Sequence, residues 1–477
     1  MGRFISAARR VALTVRGKNR PVLIGMVASA VVLSGCTVSD VPPVPKTATS
    51  APAAGSREGT GPTPAGGSSD AAVVRTALSA LLAARSRALQ TADAAAWSAT
   101  IADPHGPEGA AEAAAYAGLL ALGVRRLDVS EVGATAVVSP PTTAATDAGP
   151  ASGRPTWTGS VRLGYAIPGF DRGIRWSTRT ITVTQVGGEW LIQRWLGPSD
   201  RWEAFDLAPL AVVRTGRALV VGPVGVDVLQ ARLGEVEVGQ NRVAAVLDEA
   251  VPAVVVVPAT PEQAAHLLGE SPTPTGQTGS DPAGGHAPLV GQVAATTQGA
   301  RDPSAPAVAD RIVLDPDGLA RLTPAGRRVV LTHELTHVWV RASTLHDLPL
   351  WLSEGFAEWV AFREEGMDPP VVAARLLSQV RASGPPATLP TPTDFAGTTG
   401  DPAAAYQGSW LAADRIATLS GRQGLVGLVR RVGAVADPSG STPGPVDLGS
   451  ALVVVVGQSL AQFVAGWRSE LVRLARI

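Results

Sequence analysis

The spacing of apolar positions changes character several times along this chain, and each change marks a candidate boundary. From Ala71 to Ala96 apolar side chains recur at Val74, Leu78, Leu81, Leu82 and Leu89, the spacing of one helix face, and Glu108 to Leu122 reads as a second helix. Strand-like runs follow at Arg126–Val138, Thr156–Ala166, Arg175–Val186 and Glu189–Trp195. Alternation is plain in Thr178-Arg179-Thr180-Ile181-Thr182-Val183-Thr184, and Gly187-Gly188 supplies a hairpin turn. Helices followed by antiparallel strands predict an α+β unit over residues 71–206.

After about residue 207 the pattern shifts. Ala218–Val221 and Val251–Pro258 are continuous apolar strand candidates, with helical patterning between them at Val226–Leu233 and Val243–Ala250. Residues 261–268 begin a short helix. A Pro/Gly/Thr/Ser loop, 271–288, reads as a flexible insertion, and strand signals return at Leu289–Thr296 and Arg311–Leu314. From Pro324 onward the periodicity is helical, at 324–342, 350–364, 370–382, 405–434 and 458–476. Residues 207–477 therefore predict a second domain, with a small sheet and a mainly helical C-terminal half. The first unit looks like a nuclear-transport-factor-like or cystatin-like fold, although no motif for either is present. Its tryptophans, Trp157, Trp176, Trp190, Trp195 and Trp202, either line a pocket or fill the core; spacing along strands favours the core.

Composition sharpens this picture in two places. The chain has 477 residues, 45% of them hydrophobic, with 40 basic and 40 acidic residues. No basic block lies beyond the first twenty residues, so nucleic acid is not an expected partner. There is one cysteine, Cys36, which excludes an intramolecular disulfide. Residues 1–20 carry Arg3, Arg9, Arg10, Arg16, Lys18 and Arg20 and no acid, and then comes the apolar run Pro21–Leu33. That order describes an export signal, and the run is short of the roughly 20 residues of a membrane span. Leu33-Ser34-Gly35-Cys36 resembles the lipobox of bacterial lipoproteins, which implies a signal peptide over 1–35 and a lipid-bearing Cys36. An ordinary signal peptide or an uncleaved anchor is the plainer alternative. Residues 36–70 are rich in Pro, Ala, Gly, Ser and Thr and predict a disordered tether. The protein is thus expected outside the cytoplasm, held to the membrane through Cys36.

The densest chemistry lies at Thr332-His333-Glu334-Leu335-Thr336-His337. On a helix His333 and His337 project from one face and can share a metal ion, while Glu334 is placed to take a proton from a metal-bound water. Thr323-Pro324 supplies the helix start. A pattern with Gly and His three and six residues beyond the second histidine is excluded, since Val340 and Ser343 stand there. A nearby helix contains Glu354 and Glu358, four apart. Glu354 would complete a His₂Glu set, with His346 and Asp347 in the connecting loop as rival ligands. Glu358 either accepts the free N–H of a ligating histidine or is a surface acid.

The segments His333-Glu-Leu-Thr-His337 and Leu348-Pro-Leu-Trp-Leu-Ser-Glu-Gly-Phe-Ala-Glu358 resemble the gluzincin zinc metallopeptidases, the peptidase MA-like domains related to the aminopeptidase N superfamily. The likeness covers residues from about 215 to the C-terminus and implies a zinc site of His333, His337 and Glu354, with Glu334 as general base. It also implies that Tyr406, in Ala405-Tyr406-Gln-Gly-Ser409, steadies the oxyanion; a structural tyrosine near a helix start is the alternative. The Gly-x-Met-x-Asn strand of the aminopeptidases is missing, and Gly291–Thr296 in its place carries no acid to bind an amine. The expectation is therefore an endopeptidase acting on peptide or protein substrates. Its rivals are an inactive zinc-containing envelope protein, a hydrolase of another bond, and an α+β lipoprotein without chemistry. The patterns say nothing of oligomeric state.

Overall fold

The computed structural model describes residues 67–132, 137–139, 154–198, 201–207, 209–270, 295–299, 306–396, 400–434 and 446–477. The signal peptide, Cys36, nearly all of the expected tether and the 271–288 insertion lie outside the described residues.

The N-terminal unit opens with three helices, α1 (Gly67–Thr91), α2 (Ala94–Ser98) and α3 (Pro107–Ala121). α1 starts one turn before the expected boundary at residue 71, because a nucleated helix extends at little cost where no proline intervenes. Five strands follow: β1 (Asp128–Val132), β2 (Val137–Ser139), β3 (Thr156–Tyr165), β4 (Arg175–Val186) and β5 (Glu189–Pro198). They form an antiparallel sheet ordered β1-β3-β4-β5, with β2 also on β3. The run at 126–138 is thus two strands, both paired to β3. Gly187 and Gly188 take positive φ at the β4–β5 turn, as a tight hairpin requires. The helix-face positions of α1, Val74, Leu78, Leu81 and Leu82, bury against Trp157, Val161, Ile181, Val183 and Ile192 of the sheet. Trp157 is therefore core, Trp195 packs partly buried beside it, and Trp202 stacks on His266 at 4.4 Å.

A second sheet contains β6 (Ala211–Arg214), β7 (Ala218–Gly222), β8 (Ala253–Val256), β9 (Ala295–Gln298) and β10 (Arg311–Leu314), in the order β6-β7-β8-β10-β9. The three central strands run parallel, while β6 and β9 pair antiparallel at the edges. Between β7 and β8 the chain crosses through α4 (Val226–Leu247), one continuous helix where the periodicity showed two pieces. Between β8 and β9 lies α5 (Pro261–Leu268).

Alternate residues of the central strands enter different cores. Ala218, Val220, Val255, Ile312 and Leu314 face α4 and the helical half, while Leu219, Val221, Val254, Val256 and Val313 join the core of the N-terminal unit. Burial on both faces explains the uninterrupted valine runs. It also ties the two expected domains together through one shared hydrophobic layer. Ion pairs reinforce the junction. Arg311 binds Asp171 through two bonds of 2.6 and 2.8 Å, and Arg175 bridges Glu203 at 2.6 Å and the Ala309 carbonyl at 3.1 Å.

The remainder is helical: α6 (Pro316–Ala320), α7 (Pro324–Ser343), α8 (Leu350–Phe362), α9 (Pro369–Val372), α10 (Ala374–Ser383), α11 (Pro392–Phe395), α12 (Pro402–Val432), α13 (Leu448–Val456) and α14 (Leu460–Ala475). α12 breaks at Gly421, whose φ of 73° no other residue type adopts freely. α13 lies between the helices expected at 405–434 and 458–476, in a stretch whose periodicity predicts no helix. Among the described residues no single helix is long and apolar enough to cross a membrane. The bent pair α13–α14 passes by length and composition, but α14 buries Phe463, Trp467, Leu471 and Leu474 in the helical core.

Candidate metal centre

α7 is set by its ends and its burial. Thr323 caps it, accepting from the Gly326 N–H at 3.1 Å, with Pro324 in the first turn. From Val329 to Ala342 every side chain is buried, because α4, α8 and β9 surround the helix. His333 and His337, one turn apart, therefore point into protein rather than solvent, and their rings meet edge-on with centroids 4.5 Å apart.

α8 packs beside α7 and brings the third donor. Glu354 Oε2 lies 3.2 Å from His337 Nε2 and 3.3 Å from His333 Nε2, and the two Nε2 atoms are 2.8 Å apart. One ligand atom from each of the three residues falls within 4.8 Å of the other two, and all three are buried. His346 and Asp347 do not belong to this group; both sit in the α7–α8 connection, with Asp347 exposed.

Two further carboxylates border the cluster. Glu358, one turn after Glu354, is buried and not a surface acid; its Oε1 is 3.8 Å from His333 Nδ1. Glu334 is buried beside His333 and accepts a 2.7 Å hydrogen bond from Thr297 Oγ1 of β9. The strand expected at 289–296 stops one residue short of Thr297, and β9 extends to Gln298. A buried hydroxyl on such a strand leaves no periodic mark.

Burial first, and then neighbouring charge, sets the protonation of these groups. Burial, then the charge of His337, lowers His333 to about 4, so its imidazole is neutral at ordinary pH and able to donate a lone pair. Burial pushes Glu334 up to about 7. Burial alone would raise Glu354 as well, but the two facing imidazoles outweigh it and hold that carboxyl down at about 2. Glu358 is raised well above the usual carboxylate range by burial and then by the charge of Glu354.

The donor set fits a metal ion. Two imidazole nitrogens and a carboxylate oxygen converge on one another, and Glu354 Oε1 and His333 Nδ1 are buried without a hydrogen-bond partner among the described residues. Three acids buried around two imidazoles leave a local excess of acceptors, which a cation offsets.

Tyr406 is buried on α12, edge-on to Phe395 at 5.0 Å and one turn before Ser409, which touches α8. The Ser409 carbonyl lies 2.2 Å from where a β-carbon on Gly355 would stand, so the residue after Glu354 must be glycine for the two helices to meet.

No known protein family, curated protein or solved structure matches this chain.

Proposed function

We propose that this protein is a zinc-dependent peptidase acting outside the cytoplasm, with endopeptidase action on extended chains. The observation that carries this reading is the buried convergence of His333, His337 and Glu354 with the Glu334 carboxylate beside it. Two imidazoles and one carboxylate are the donor set of catalytic zinc sites, in which a water takes the fourth position. The gluzincin likeness from about residue 215 to the C-terminus is part of the same reading, with the 71–206 unit as a nuclear-transport-factor-like or cystatin-like accessory. The lipobox likeness at residues 33–36 adds a lipid anchor on Cys36.

In this reading His333, His337 and Glu354 hold the metal. Zinc, when bound there, would supply acidification of water and polarisation of a carbonyl group. Glu334 takes the proton of the attacking water and later passes it to the leaving amine. Its Oε2 is occupied by Thr297, which leaves Oε1 for that proton. Glu358 steadies His333 from the Nδ1 side, and Tyr406 is assigned to the negative charge that builds on the carbonyl oxygen.

The test compares zinc-loaded protein beginning at Thr37 with its Glu334→Gln variant on a diverse peptide mixture, reading products by mass spectrometry. Cleavage within chains by the unaltered protein alone is the expected result. Equal cleavage by Glu334→Gln would remove the mechanism. One zinc bound in each with no cleavage in either would favour a zinc-containing binding protein of the envelope.

A further inference from the structure

The alternation of β9 gives its side chains two different tasks. Ala295 and Thr297 face α7, while Thr296 and Gln298 face the N-terminal unit, as the register Thr297↔Ile312 and Gln298↔Arg311 requires. Thr297 Oγ1 lies 2.7 Å from Glu334 Oε2 and 3.1 Å from the Glu334 carbonyl oxygen. A hydroxyl has one proton, and the short contact to the carboxylate is the stronger bond. Threonine is stiff at χ1, so this donor is fixed by the strand. On the opposite face Gln298 Nε2 donates to the Leu267 carbonyl at 3.0 Å, and Arg175 Nη2 donates to Gln298 Oε1 at 3.4 Å. Arg175 is itself buried and anchored on Glu203 at 2.6 Å, and Glu203 also accepts from the Tyr165 hydroxyl at 2.7 Å. A short chain of bonds thus runs from the antiparallel sheet, through one edge strand, to Glu334.

We propose that Thr297 is a positioning residue that aims the Glu334 carboxylate, and that the N-terminal unit keeps it in place by gripping the adjacent Gln298. This rests on the hydrolytic reading above and gives the accessory unit a part in it. With Oε2 tied to Thr297, the second carboxylate oxygen has one defined direction. Loss of that tie leaves Glu334 free to rotate, which slows proton transfer without changing how substrate is held.

The test uses the full-length, zinc-loaded protein. Thr297→Val keeps the shape and removes the donor; kcat is expected to fall about tenfold to a hundredfold while KM and zinc content hold. Thr297→Ser restores the hydroxyl and is expected to return kcat to within about threefold of the original. Gln298→Met keeps the volume and loses both bonds, and kcat is expected to fall about threefold to tenfold at constant KM. Unchanged kcat in Thr297→Val, or equal losses in Val and Ser, would overturn the positioning role. Unchanged kcat in Gln298→Met would overturn the grip of the N-terminal unit.

A second readout needs no activity. Denaturant unfolding of metal-free Thr297→Val, Glu334→Ala and the double variant forms a cycle. Non-additive losses support the contact, and additive losses overturn it. If the unaltered protein cleaves nothing, the peptidase reading fails while this cycle still decides whether Thr297 holds Glu334.

Discussion

The backbone carbonyl of Ser409 stands 2.2 Å from the place a β-carbon on residue 355 would take, so α8 and α12 meet with only a glycine between them. Because the obstacle is backbone, it cannot swing aside. Gly355→Ala is expected to destabilise the fold by about 1–3 kcal/mol, as overpacking does, and to weaken metal binding by shifting Glu354. Thermal unfolding and zinc titration of the variant check this; an unchanged midpoint would mean that the helices separate easily.

The three proposed ligands and the proposed base separate in a metal assay. His333→Ala and Glu354→Ala are each expected to weaken zinc binding at least about a hundredfold, since two donors remain of three. Glu334→Gln is expected to bind one zinc per chain as tightly as the unaltered protein. Competition with a chromogenic chelator measures all three. Tight zinc in Glu354→Ala would return His346 or Asp347 to consideration as the third ligand.

Glu358 lies 3.8 Å from His333 Nδ1, an atom with no other partner among the described residues. If it steadies that ring, Glu358→Ala should lower zinc affinity about tenfold to a hundredfold, and Glu358→Gln, which keeps an acceptor, should lose less. Equal affinity in all three forms would leave Glu358 a buried acid with no part in the site.

Glu203 gives the fold an acid-sensitive anchor. Burial opposes its charge, but Arg175, Arg201 and the Tyr165 hydroxyl hold it down at about 2, against an ordinary 4.5. A carboxyl depressed in the folded state binds fewer protons there than in the unfolded chain, so stability rises with pH across that window. The contribution is complete above about pH 4.5 and lost as pH falls towards 2. Melting temperature measured between pH 2 and 7 should show this limb, and Glu203→Gln should flatten it while lowering stability at neutral pH. The same acid slope in both forms would assign the effect to other carboxyls.

Cys36 can be tested in cells. Cys36→Ser is expected to move the protein from the membrane fraction to the soluble extracellular or periplasmic fraction and to abolish labelling by a fatty-acid probe. Retention at the membrane without label would favour an uncleaved anchor.

Much of the helical half was legible because its signals are local. The Thr323-Pro324 start, the four-residue spacing of His333 and His337, and that of Glu354 and Glu358 need only helical geometry. The valine runs at 218–221 and 253–256 marked strands buried on both faces for the same reason. The pattern of α4 divides in two because Gly234 and Gly239 interrupt its apolar face; at Gly239 a β-carbon would come within 2.8 Å of the Leu335 Cδ1 methyl of α7, which would have to shift. α13 leaves no helical signal because Val453–Val456 are β-branched and favour strands in isolation. Asp447, which accepts from the Gly449 and Ser450 N–H groups, and the packing of Ala451 and Leu452 make it a helix.

By itself the sequence determined which residues could share a helix face, and so which imidazoles could act together. Only the tertiary structure decided that Glu354 rather than His346 or Asp347 meets them, that Glu358 is buried, that Thr297 reaches Glu334, and that one face of the second sheet completes the core of the N-terminal unit. Such contacts join residues far apart in the chain; Arg311 and Asp171 are 140 positions apart. Periodicity reports a residue's direction relative to its own backbone. Which partner stands opposite depends on how whole elements pack, and no local pattern encodes it.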